Sequence, residues 1–128
     1  MQSAPEPRSD LIGAALSGVC MVHCVSTPGL LMVAPAAASV LGGFHPLLLV
    51  GVTAVAGWSF VPGFRRHRDW SVVGLASLGL VLLGVAAFVF EESALETLLS
   101  VCGAGSMMLA HLRNRTLSRF TSTLPAAS

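Results

Sequence analysis

The chain of 128 residues carries little charge, and it contains no lysine and no tyrosine. Charged residues make up 10% of the chain, whereas soluble domains carry about 25%. This scarcity argues against a soluble globular domain and against a surface that binds nucleic acid. Hydrophobic residues make up 54% of the chain, and the mean hydropathy is +0.80. We therefore expect an integral membrane protein.

The sequence also lacks the motifs of nucleotide-binding and catalytic proteins. It contains no Walker motif, no glycine-rich dinucleotide fingerprint and no soluble domain that could carry a catalytic site. We therefore expect no enzymatic activity and no tightly bound cofactor. Energy for any transport would have to come from elsewhere, and the partner that the composition implies is the lipid bilayer.

Four apolar stretches are long enough to cross a membrane, because a hydrocarbon core of about 30 Å needs about 20 apolar helical residues. The predicted spans cover residues 11–33, 46–62, 71–90 and 93–112. The first span is longer than the apolar core of a signal peptide, so we expect it to be retained. These spans predict an all-α bundle of four transmembrane helices in residues 11–115, between polar tails at 1–10 and 116–128.

All seven arginines lie on one alternating set of flanks: Arg8, Arg65, Arg66, Arg68, Arg113, Arg115 and Arg119. Cytoplasmic flanks of membrane proteins collect basic residues. We therefore expect both termini to be cytoplasmic. The arginines are read as topology anchors, and a contact with lipid headgroups is the alternative.

The first predicted span carries small, polar and sulfur-bearing side chains along one face. At 100° per residue, this face holds Gly13, Ser17, Cys20, His23, Cys24 and Thr27. Small residues let membrane helices approach closely, but a histidine at this depth is a functional hypothesis by default. Cysteine and histidine are ligands of thiophilic metal ions. We predict a metal site of Cys20, Cys24 and His23, and buried core cysteines are the alternative.

The fourth predicted span has a second such face, which holds Glu96, Ser100, Gly103, Met107, His111 and Asn114. A path of polar groups between the first and fourth spans would follow from the two faces. Weaker metal candidates are Glu96, His111, Cys102, which points away from this face, and His45, at the start of the second span. His111 is alternatively expected to cap its helix at the cytoplasmic end, and His67 is expected to be an interfacial charge.

Three segments resemble the MerC family of small, four-span bacterial inner-membrane proteins: "GAALSGVCMVHCVSTPGLL", "FRRHRDW" and "MMLAHLRN". The resemblance covers about Leu11 to Arg115. It implies uptake of mercuric ion, in which a cysteine pair in the first helix receives Hg(II) and passes it toward cytoplasmic thiols. Cys20 and Cys24 match that pair in helix and depth.

The sequence departs from the mercury-operon members of this family in two places. Those members use Cys-x-x-Cys, whereas Cys20 and Cys24 are separated by three residues that include His23, and no cysteine follows Arg113. A histidine beside the thiols shifts the preference toward borderline ions. Hg(II), Zn(II) and Cu(I) therefore all stay open as the transported ion.

The sequence predicts a membrane protein that binds and moves a thiophilic metal ion through its first helix. The alternative function is a non-catalytic accessory subunit that packs against a larger membrane complex, since the chain is small and rich in helix faces of small residues. A homodimer is compatible with either function.

Overall fold

The computed structural model describes residues 8–42, 45–90 and 93–123, and every element within these ranges is an α-helix. The helices are α1 (Arg8–Val33), α2 (Pro35–Gly42), α3 (His45–His67), α4 (Trp70–Val89) and α5 (Ala94–Thr123). All except the short α2 are long and apolar enough to cross a membrane. The predicted all-α fold with four membrane-spanning helices is therefore confirmed.

The helices extend beyond the predicted spans at both ends of the chain. Helix α1 begins at Arg8, and Asp10 in its first turn is only 4% exposed. Helix α5 continues to Thr123, because no proline interrupts the chain before Pro125. Much of what the sequence presents as polar tail is therefore helix, and Asp10 belongs to the packed bundle.

The break predicted between the first two spans contains helix α2. Its sequence, PAAASVLG, is rich in alanine, the residue with the highest helix propensity. Pro35 occupies the first helical position, where the missing backbone N–H costs no hydrogen bond. The two following residues, 43 and 44, lie outside the described part of the chain.

The starts of α4 and α5 are both capped by side chains. Asp69 precedes α4 in an extended conformation and accepts a hydrogen bond from the Ser71 backbone N–H at 2.8 Å. Ser93 precedes α5, and its Oγ accepts a hydrogen bond from the Glu96 backbone N–H at 3.1 Å. Aspartate and serine are favoured at this position because they satisfy a backbone donor of the first turn.

Helix α5 occupies the centre of the bundle, where it packs against α4, α1 and α3. The closest approach is to α4, at Gly79 and Gly103. A Cβ atom on either glycine would lie within about 3 Å of the other's carbonyl oxygen. One turn along, the Ser106 Oγ donates a hydrogen bond to the Leu75 carbonyl oxygen at 2.8 Å. Small residues and an interhelical hydrogen bond are typical of helix packing in lipid.

Large apolar side chains cover the outside of the bundle: Val22, Met32, Trp58, Trp70 and Phe88 are all more than 65% exposed. Soluble monomers rarely expose contiguous apolar surface on this scale. The buried interior, by contrast, contains several polar side chains. This distribution suits a protein whose outer surface faces lipid.

Candidate functional site

The two polar faces predicted on the first and fourth spans meet where α1 packs against α5. Two groups of side chains lie at or beside this interface. The first, here called the thiol pair, is Cys20 and Cys24, about midway along α1. The second, here called the polar cluster, lies near the start of α1 and consists of Asp10, Ser59, His67, His111 and Asn114.

The thiol pair faces the interior of the bundle. Cys20 is 3% exposed and Cys24 is 6% exposed, and the two thiols are hydrogen-bonded to each other. Residues four apart in a helix share a face, which brings these side chains together. They belong to the same apolar core as Ala104 and Met107 of α5.

His23 lies differently from the two thiols that flank it in sequence. It is half-buried, and it lines a shallow, open groove of about 640 Å³ on α1 together with Ala15, Gly18, Val19, Val22, Ser26 and Thr27. Across residues 8–42, 45–90 and 93–123, no three histidine, cysteine, aspartate or glutamate side chains form a metal-binding group. The three-ligand site of Cys20, Cys24 and His23 remains a prediction.

None of the weaker metal candidates that the structure describes joins a group of three metal-binding side chains. Glu96 is half-buried in the first turn of α5, and its backbone N–H is bound by the Ser93 cap. Cys102 points away from the polar face of α5 and is exposed there, so the interpretation of this lone cysteine as a buried core residue is wrong. The side chain of His45 lies outside the described part of the structure.

Asp10 is the centre of the polar cluster. Its two carboxylate oxygens each accept a hydrogen bond from Asn114 Nδ2 at 3.0 Å, and Oδ1 also accepts a hydrogen bond from the Ser59 hydroxyl. Ser59 and Asn114 are 3% and 1% exposed. Donors surround the carboxylate, and the N-terminal turn of α1 adds a favourable dipole. In each of these contacts a carboxylate oxygen of Asp10 is the acceptor.

His67 extends the cluster to the loop between α3 and α4. Its Nδ1 accepts a hydrogen bond from the Asp69 backbone N–H at 3.0 Å, so Nε2 carries the ring proton. Nε2 then donates to Asn114 Oδ1 at 2.9 Å. This bond fixes the Asn114 amide with its NH₂ group toward Asp10. The expectation that His67 is an interfacial charge is wrong, because a neutral, half-buried ring satisfies these contacts.

Asp69 lies next to this region, in the loop between α3 and α4 and outside the membrane-spanning segments. The Ser71 hydroxyl and backbone N–H hold the pKa of the Asp69 carboxyl below its usual range, and Arg113 contributes less. Arg113 Nη2 lies 3.3 Å from Asp69 Oδ2 in a largely exposed ion pair. This pair ties the loop to α5.

His111 is fully buried beside Asp10. Its Nδ1 lies 3.3 Å from Asp10 Oδ1, and its ring stacks on Phe60 with the centroids 4.4 Å apart. A side chain on Gly13 would overlap the ring, so only glycine fits there. Nε2 has no hydrogen-bond partner in the described structure.

The expectation that His111 caps its helix is wrong. Helix α5 continues to Thr123, so the carbonyl groups near His111 already accept hydrogen bonds within the helix. The ring is held instead by contacts from α1 and α3.

Three members of the polar cluster have no role in the sequence analysis: Asp10, Ser59 and Asn114. Asp10 continues the polar face of α1, since it lies near Ser17 at 100° per residue. Extending that face one turn toward the N-terminus could have found it. Asn114 belongs to the predicted polar face of α5, but its residue type and spacing indicate no function there. Nothing in the sequence around Ser59 indicates its contact with Asp10.

Hydrogen bonds among Asp10, His67 and Asn114 join the start of α1, the α3–α4 connection and the last third of α5 at one end of the bundle. Here this end is called the basic end, because the arginines of the chain flank it: Arg8, Arg65, Arg66, Arg68, Arg113, Arg115 and Arg119. The thiol pair lies deeper in the bundle.

Four apolar spans and an outer surface of large apolar side chains define a small multi-pass membrane protein. The family described as MerC mercury resistance protein matches residues 10–116, and the chain belongs to this family. The resemblance seen in the sequence is thereby confirmed. No curated protein and no solved structure matches the chain.

Proposed function

We propose that the protein carries a thiophilic metal ion across the bacterial inner membrane and that Cys20 and Cys24 receive the ion. The observation that carries this proposal is the thiol pair: two buried, mutually hydrogen-bonded thiols halfway along a membrane-spanning helix. Thiolate ligands select soft metal ions. Membership of a family described by mercury resistance supports the same chemistry.

Hg(II) is the proposed ion, for reasons of ligand number and charge. The pair offers two ligands that face the core, whereas structural zinc sites are almost always four-coordinate. A doubly charged ion on two thiolates has no net charge, which avoids the cost of burying a charge in an apolar core. Cu(I) on the same two thiolates would leave one negative charge. The pair therefore favours Hg(II) over both alternatives.

His23 is proposed as an auxiliary group. It follows Cys20 by three residues and immediately precedes Cys24, and its ring lines the groove on α1. Thiols must lose their protons to bind a metal ion. A neutral imidazole beside the pair could accept one of those protons, so His23 is expected to affect the rate of loading more than the affinity.

The basic end is proposed to face the cytoplasm, with both termini inside, because basic flanks resist translocation. Asp10 then lies about 15 Å from Cys20 on the cytoplasmic side, at 1.5 Å rise per residue. An ion that leaves the thiol pair inward would pass along the α1–α5 interface toward the polar cluster.

The test is uptake of Hg(II) into proteoliposomes that contain the purified protein and a trapped thiol chelator. We expect Cys20→Ser, Cys24→Ser and the double variant to lose most of the uptake. Cys102→Ser is the matched control, because it removes an exposed thiol of the same chain. Uptake unchanged in the double variant would contradict the proposal and would favour the accessory-subunit alternative. An equal loss of uptake in Cys102→Ser would show that uptake does not depend specifically on the thiol pair.

A further inference from the structure

His111 Nε2 is a buried polar atom without a hydrogen-bond partner in the described part of the chain. Native proteins satisfy the great majority of such atoms, and an exception calls for an explanation. The other ring nitrogen, Nδ1, faces Asp10 Oδ1, to which it can donate. In the neutral ring, Nε2 therefore presents an available lone pair inside the bundle.

We propose that Asp10 and His111 form a proton-binding site at the basic end of the bundle, in which His111 Nε2 takes up the proton. The proton adds to the Nε2 lone pair, no other bond breaks, and the ring becomes an imidazolium beside the ionised Asp10 carboxylate. Water at the basic end supplies the proton and receives it again on release. The site requires no metal ion.

The surroundings of the ring favour a proton over a metal ion as its ligand. The ring is enclosed by Gly13 on one side and Phe60 on the other. No third ligand from histidine, cysteine, aspartate or glutamate joins Asp10 and His111 within the described residues. A proton needs neither the space nor the extra ligands that a metal ion requires.

Two contacts stabilise the protonated ring. The carboxylate of Asp10 supplies the opposite charge at 3.3 Å from Nδ1. An opposite charge at this distance favours the charged form of its neighbour. The face of Phe60, stacked at 4.4 Å, presents the negative side of its quadrupole to the cation.

Other ionisable groups lie on the helices that pack around the site. Helix α1 contributes Asp10, and α3 contributes His67, which reaches Asp10 only through Asn114. Helix α4 contains no ionisable side chain. On α5, Arg113 is paired with Asp69 near the loop. Remaining arginines of the basic end are Arg8, Arg65, Arg66, Arg68, Arg115 and Arg119, whose positive charges oppose protonation.

The site can be observed directly by ¹⁵N NMR of the full-length protein in lipid nanodiscs, with labelled histidine and no metal added. The His111 signals are assigned by their loss in His111→Gln. As the pH falls from about 8 to about 5, the range in which imidazole titrates, we expect Nε2 to change from unprotonated to protonated while Nδ1 keeps its proton. An Nε2 that stays in one state over this range would overturn the proposal.

The role of Asp10 is tested with two variants, one that removes the Asp10 carboxylate and one that removes the Asp69 carboxylate. In Asp10→Asn, the ratio of protonated to neutral His111 at a fixed pH should fall about tenfold or more, since the opposite charge is lost. Asp69→Asn is the matched control, because it removes a carboxylate at the same end without contact to His111. An equal effect of both variants would overturn the pairing of Asp10 with His111. If Asp10→Asn does not fold, the wild-type titration still decides whether Nε2 takes a proton.

A consequence for transport rests on the proposed function. Loading the thiol pair releases protons, and a proton site on the inward route would make uptake depend on pH. In proteoliposomes, His111→Gln should flatten the pH dependence of Hg(II) uptake while the protein still binds Hg(II) at the thiol pair. A pH profile of uptake identical to that of the wild type would overturn this coupling, whereas Hg(II) binding retained by Cys20→Ser/Cys24→Ser would overturn the transport proposal and not the proton site.

Discussion

Gly13 provides a sharp test of how the polar cluster is packed. The ring of His111 occupies the space in which a Gly13 side chain would lie. Phe60 stacks on one side of the ring, and Asp10 Oδ1 contacts its Nδ1, so both contacts oppose a displacement of the ring. Gly13→Ala should therefore push α1 away from α5 or displace the ring from Asp10.

The expected change in stability on Gly13→Ala follows from two opposing effects. Inserting a methyl group into a packed interior costs about 1–3 kcal/mol, whereas Gly→Ala in a helix gains about 0.8–1.0 kcal/mol of propensity. Gly18 is the matched control on the same helix, since a Cβ there would meet no atom within 4 Å. The propensity gain cancels between the two variants. Gly13→Ala should thus be less stable than Gly18→Ala by about 1–3 kcal/mol.

The assay is reversible unfolding in mixed micelles by SDS, followed by far-UV circular dichroism. A double-mutant cycle with His111→Ala isolates the contact, because removing the ring should relieve the overlap and leave only the propensity gain of Gly13→Ala. We expect a coupling within the range of about 0.5–3 kcal/mol seen for residues in contact. Equal stability of Gly13→Ala and Gly18→Ala, or a coupling near zero, would refute this packing.

Three further predictions use the same unfolding assay. Asn114→Ala should cost about 2 kcal/mol, at about 0.6 kcal/mol for each of its bonds to Asp10 and His67, whereas Thr116→Ala, on the exposed part of α5, should cost less than about 0.5 kcal/mol. Gly79→Ala should destabilise by about 1–3 kcal/mol, because its Cβ would lie 2.6 Å from Met107 Cγ and 2.9 Å from the Gly103 carbonyl oxygen. Gly84→Ala should not destabilise the protein, because a Cβ at this position would meet no atom within 4 Å. Asp69→Asn should be less stable than the wild type at neutral pH, and this difference should disappear in acid.

The pH prediction follows from the lowered pKa of Asp69. A carboxyl whose pKa is lower in the folded state stabilises the fold above its unfolded pKa, about 3.9, and that contribution is lost as the pH falls through the folded pKa. The wild type should therefore exceed Asp69→Asn in stability at neutral pH and approach it below about pH 4. A difference that is constant with pH would contradict this account.

Equal losses of stability in a variant and its matched control would contradict the prediction for that variant. If Thr116→Ala cost as much as Asn114→Ala, the bonds of the polar cluster would not be the source of stability. If Gly84→Ala were as damaging as Gly79→Ala, the close approach of α4 and α5 would not explain the requirement for glycine.

The helices and their buried faces could be predicted because a lipid environment allows few backbone structures. A backbone in hydrocarbon must satisfy its own hydrogen bonds, so long apolar runs become helices. Small and polar side chains then turn inward, which is why Ser17 and Cys20 on α1, and Ser100 and Met107 on α5, are buried as their spacing indicates.

The contacts of the polar cluster could not be predicted in this way. Whether Asp10 meets Asn114 depends on the rotation and relative height of α1 and α5, which neither helix encodes alone. Ser59 reaches the same carboxylate from α3, far away in sequence. The polar residues that follow His111 predict a helix end there, but Leu117 packs against the core and α5 continues.

The thiol pair is the part of the candidate site for which sequence and structure agree best. Four-residue spacing predicts a shared face, and the two thiols are buried together. The structure adds that His23 lies toward the groove instead of the core. That difference is why two thiols, and not three ligands, form the centre of the proposal.

The most direct measurement is the metal content of the detergent-purified protein by elemental mass spectrometry after exposure to Hg(II), Zn(II) or Cu(I) and removal of free ion. We expect the wild type and Cys102→Ser to retain Hg(II) in preference to the other two ions, close to one per chain above any Hg(II) on exposed thiol. Cys20→Ser/Cys24→Ser should lose that buried ion. Equal retention by the double variant and the wild type would contradict a metal site at the thiol pair.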